Sequence, residues 1–122
     1  MIVPTVQAYA VAFGYNHLAS NEDIVDLTSE YSLAINGLKT RAKRPVLVLG
    51  LTILKHLKAI MKERALEFNK ILRALYGQDF IEPVSSDLAV PRLPQTGPGD
   101  VHFDIETAGR ISDKVRVRLA KN

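Results

Sequence analysis

At 122 residues, of which 47% are hydrophobic and 24% charged, the chain has room for one domain with a modest core, and its mix excludes wholesale disorder. Cysteine is absent, which excludes disulfides, thiolate catalysis and cysteine-ligated zinc. A formal net charge of +3 permits an acidic partner such as nucleic acid without demanding one.

The opening stretch from Met1 to Leu18 lacks the basic start of a secretory leader, so no export signal is expected. Its alanine content predicts a short helix over Pro4 to Leu18, although Val6, Ala8, Ala10 and Ala12 also alternate as a strand would. Ser20 and Asn21 then stand as N-cap candidates, with Glu22 and Asp23 placed to favour the positive end of a helix dipole. Ile24, Leu27, Tyr31, Ala34 and Leu38 recur at steps of three and four, which predicts one apolar face of an amphipathic helix.

A basic link follows. Lys39, Arg41, Lys43 and Arg44 crowd the approach to Pro45, which disfavours helix at Arg44 and marks a break. Beyond it the uncharged run Pro45–Leu54 falls well short of the roughly 20 apolar residues of a membrane span. Leu47, Leu51, Leu54, Lys58, Met61, Ala65, Phe68, Leu72 and Leu75 keep the four-three spacing, so one long helix ending near Gly77 is expected. The competing assignment for residues 46–54 is a buried strand, since the run is rich in β-branched residues and Gly50 weakens a helix by about 1 kcal/mol.

Residues 78–100 hold Pro83, Pro91, Pro94 and Pro98 and no helical period, which predicts an extended arm with a reach of roughly 60 Å. In residues 101–122, Val101, Phe103 and Ile105 alternate, as do Val115, Val117 and Leu119, so a terminal β-hairpin is expected. Pairing would oppose Glu106 to Lys114, Asp104 to Arg116, Ile105 to Val115 and Phe103 to Val117. The expected fold is thus α+β: a helical-hairpin body over 1–77 with one long amphipathic helix, a proline-rich arm over 78–100, and a C-terminal β-hairpin over 101–122.

His17, His56 and His102 are far apart and show no metal spacing. Glu22, Asp23, Asp26 and Glu30 fit dipole compensation on a solvated helix face better than paired acid chemistry. With no phosphate-loop glycine pattern either, no enzyme, metal, cofactor or small-molecule substrate is expected. A helix of about 30 residues would run roughly 45 Å, more than one or two short helices can cover. Leu47, Leu51 and Leu54, with Phe103, Ile105, Val115 and Val117 of the hairpin, are therefore the expected contacts to another chain. These features predict a structural or assembly subunit, a homo-oligomer or part of a larger complex inside the cell or a virion, as in the small connector-type components of tailed phages. The alternative is a DNA- or RNA-binding protein, with Lys39, Arg41, Lys43 and Arg44 on the phosphates.

Overall fold

The structure, a computed structural model, describes residues 8–12, 22–98 and 100–121. In chain order it holds β1 (Tyr9–Val11), α1 (Ile24–Ala42), β2 (Val46–Leu49), α2 (Ala59–Tyr76), β3 (Phe80–Ile81) and α3 (Ile105–Ala120). The three strands form one sheet in the order β1-β2-β3, and both pairings are parallel. Tyr9 faces Val46 and Val11 faces Val48 across the first pair; Val48 and Leu49 face Phe80 and Ile81 across the second. Helices α1 and α2 are the crossovers between parallel strands, and they pack on one another.

The first helix starts where the chain supplies a cap. Asp23 Oδ1 accepts the amides of Val25 and Asp26, at 2.8 and 3.3 Å, satisfying donors that the first turn leaves without partners. Ser20 and Asn21, the caps expected from sequence, lie outside the described residues, as does His17. Leu27, Ile35 and Ala42 are the buried apolar positions of α1, whereas Ala34 is exposed. The helix ends at Lys43, in the left-handed conformation at φ 53°, and its amide returns to the Lys39 carbonyl.

Three expectations are corrected. The N-terminal helix is not found in the described part of that stretch, which holds strand β1; there the alternation prevails over the alanine content. The long helix does not start at Pro45. Val46, Leu47 and Val48 are buried, Val46 and Val48 within the main core and Leu47, by alternation, toward the opposite face. A strand covered on both faces reads as an unbroken apolar run, and this run mimics a helical stripe by having leucines four apart. Gly50 then admits close neighbours: a Cβ there would meet Phe80 Cζ and Pro83 Cδ, each at 2.8 Å. Helix begins only at Ala59, and from there Met61, Ala65, Phe68 and Leu72 are buried at the expected spacing. The Phe68 ring meets Tyr31 of α1 edge-on, with centroids 5.5 Å apart.

The third correction removes both the arm and the hairpin. Residues 78–100 carry β3 and bury Phe80, Ile81, Val84 and Asp100, so this stretch is packed. The expected hairpin is the helix α3. Asp104 caps it, its Oδ1 accepting the Thr107 amide at 2.8 Å. The alternating valines conceal a helical row, because Ile111, Val115 and Leu119 recur every four residues and all three are half-buried. In place of the pairs expected across strands, Glu106 with Lys114 and Asp104 with Arg116, Glu106 pairs with Arg110 at 3.1 Å and Arg116 with Asp113 along the helix. Among the described residues no helix is long and apolar enough to cross a membrane.

Candidate functional site

The carboxyl ends of parallel strands are where open α/β sheets leave a crevice for ligands. Here the chain leaves β2 at Leu49 and runs through Lys58 before α2 begins. That loop is tied to the segment entering α3: the Lys58 amide donates to the Pro98 carbonyl at 3.2 Å, and His56 Nε2 to the Asp100 carbonyl at 2.6 Å. A carbonyl only accepts, so Nε2 is the protonated nitrogen of His56.

Asp100 is the centre of this junction. Its side chain is only 4% exposed, and both oxygens are engaged. Oδ1 accepts the His102 amide at 3.1 Å and His102 Nδ1 at 2.9 Å, while Oδ2 accepts the Thr96 amide at 3.1 Å. The amide and ring of His102, followed by the Thr96 amide, hold the Asp100 carboxyl well below the usual carboxylate range. Asp100 is thus an ionised acceptor, and Nδ1 of His102 must be the donor. The imidazole is fixed as the tautomer whose Nε2 lone pair is open, on a side chain 61% exposed.

The segment is further pinned behind the histidine. Pro91 and Phe103 form an antiparallel bridge, with the Arg92 amide donating to His102 O at 3.0 Å and the Asp104 amide to Val90 O at 2.8 Å. Thr107, fully buried, accepts the Val90 amide on its hydroxyl at 2.9 Å. Phe103 packs against the core on one side of the bridge, which directs His102 to the other. The arrangement can orient an imidazole and fix which of its nitrogens faces the carboxylate. No cluster of three metal-ligating side chains occurs among the described residues.

The residues singled out from sequence are scattered. Leu47, Leu51 and Leu54 are buried within the chain itself. Phe103 packs on the core, Val115 is half-buried, and Ile105 and Val117 are 91% and 57% exposed, so the four share no face. Of the basic link, Lys39 pairs with Asp79 at 3.3 Å and lies 5.4 Å from the Tyr76 ring centre, and Arg41 Nε donates to Gly37 O at 3.3 Å. Lys43 and Arg44 are exposed. Sequence reasoning missed the Asp100–His102 pair because it placed one partner in an arm and the other in a strand. The available signal was the spacing Asp-Val-His after Gly97 and Pro98. A search of protein-family models finds no match to this chain, and neither does a search of curated proteins.

Proposed function

We propose that the protein carries the acid–base half of a hydrolytic or acyl-transfer site, with His102 as the proton carrier and Asp100 as the group that positions it. The observation behind this is a single one: a buried carboxylate, held ionised by three hydrogen bonds, is bound to Nδ1 of a histidine whose side chain is largely exposed. A hydroxyl or water set against Nε2 would lose its proton to the ring as it attacks a carbonyl carbon. Asp100 would stabilise the resulting imidazolium, and the same proton would then pass from Nε2 to the departing oxygen. A carboxylate fixed in advance beside the ring would favour the charge that develops there as the proton is taken.

Hydrolysis of 4-nitrophenyl acetate tests the reading. The parent chain should exceed His102→Gln across pH 6–9, and Asp100→Asn should lose about a hundredfold or more of the excess, because the ring is no longer held in its working tautomer. A parent rate equal to that of His102→Gln overturns it.

A second reading keeps the assembly role. Among the described strands β1 pairs with β2 alone, and an outer strand presents backbone donors and acceptors to which a further strand can add. In that case the chain joins a neighbour through β1, inside the cell or a virion, and light scattering would show mass growing with concentration. The nucleic-acid alternative has less support, since Lys39 is already paired with Asp79. It requires binding that falls steeply with added salt.

A further inference from the structure

A cavity of about 340 Å³ opens on the flank of α2, and this volume lies within the range of small-molecule sites. One wall is a stripe of that helix, Lys62, Leu66, Asn69 and Arg73, spaced by four, three and four residues. The stripe spans about 16 Å. Ile53 and Leu54 from the loop after β2, and Pro83 to Ser86 from the chain after β3, close the other sides. Leu54 and Val84 are buried and form an apolar floor.

Two features there are unexplained by the fold. Leu66 is 60% exposed at the cavity although its neighbours Ala65 and Phe68 are buried. Lys62 is half-buried, and its side chain has neither an ion pair nor a hydrogen bond among the described residues. The other cations of the lining are matched, Lys55 with Asp87 at 2.8 Å and Arg73 with both oxygens of Glu82. Asn69 is matched too: its amide bonds the backbone of Leu51 at 2.8 and 3.0 Å. One positive charge thus stands uncompensated beside an apolar trough.

We propose that this cavity binds a medium-chain carboxylate, the alkyl chain lying over Leu54, Leu66 and Val84 and the carboxylate on Lys62 Nζ. An alkyl chain would cover the Leu66 side chain that the fold leaves in water, and a carboxylate supplies the charge-assisted partner that Lys62 lacks. The site is independent of Asp100 and His102, so a failed esterase assay leaves it untouched.

Calorimetric titration of the full chain with octanoate, octanol and acetate tests it. Octanoate should bind, octanol should bind about tenfold or more weakly, and acetate should show no heat, since it has the charge and no chain. Lys62→Met should lower octanoate affinity about tenfold and leave octanol unchanged, and Leu66→Asp should weaken both. Circular dichroism checks that each variant keeps its helices, and Lys62→Gln repeats the charge test with a smaller change in shape. No octanoate binding to the folded parent, equal binding of octanol, or full octanoate affinity in both Lys62 variants overturns the proposal.

Discussion

Helices α2 and α3 are nearly equal in length, 18 and 16 residues, yet they are held in different ways. Met61, Ala65, Phe68, Asn69 and Leu72 of α2 are buried, whereas Thr107 alone is buried on α3. The second helix belongs to the core and is fixed by apolar packing. The third is fixed by polar clasps: Asp104 on its first turn, Thr107 on Val90, and Arg118, which donates to Gln78 O at 2.7 Å and to Asp79 at 3.3 Å. Apolar burial sets how strongly a segment resists unfolding, while directional bonds set where it sits. The contrast places the stability of this chain in its β–α–β units, and the Asp100–His102 pair in a segment positioned by hydrogen bonds.

Substitutions can break or sharpen that contrast. Phe68→Ala should do the most damage, about 3–5 kcal/mol lost from unfolding free energy in a urea titration, because it empties a site buried between α1 and α2. Asn69→Leu should cost about 2–3 kcal/mol by the same measurement, as it leaves the amide and carbonyl of Leu51 buried without partners. A loss no larger than that of an exposed site would show that α2 is not anchored through this amide.

Asp100→Asn acts on the C-terminal segment, and its effect depends on pH. The folded carboxyl is held below its ordinary value of 3.8, so the acid binds its proton more readily when unfolded. The stability it contributes is complete above pH 3.8 and is lost as pH falls through the folded value. The parent should therefore be more stable than the variant at neutral pH, with the difference shrinking in acid. A difference unchanged down to pH 2 would remove the charged Asp100 from the account of how this segment is held. The smallest effect is expected at Val117→Asp, within about 0.5 kcal/mol, because the side chain is more than half exposed. In a hairpin the same change would have placed a charge in a buried row. A loss of several kcal/mol would instead show that α3 is held through this side chain as well as through its polar clasps.

These cases also show which parts of the molecule were legible beforehand. The α2 stripe from Met61 to Leu72 was readable because a helix buried on one side repeats every three to four residues. The Val46–Leu49 strand was readable only as an alternative, since burial on both faces erases the alternation that marks a strand. The last helix was obscured by its β-branched composition, and tertiary context prevailed through a cap and a row at Ile111, Val115 and Leu119. The candidate site was legible least of all. Asp100 and His102 are neighbours in sequence, but what distinguishes the pair is the burial of Asp100, the Thr96 amide and the tie to His56, none of which leaves a periodic trace.

The crowding around Gly50 bears on how this protein could vary. Every other amino acid brings a Cβ into Phe80 and Pro83, which lie only 2.8 Å from where it would stand. A saturation scan should therefore show a notch one residue wide at position 50, with no substitution retaining wild-type abundance. Half-exposed Leu49 beside it should still accept other apolar residues. The loop carrying His56 begins at this notch, so variants that survive there by shifting β3 would also move the carbonyl end of Asp100. Position 50 would then constrain two properties at once, abundance and the geometry of a histidine more than fifty positions downstream.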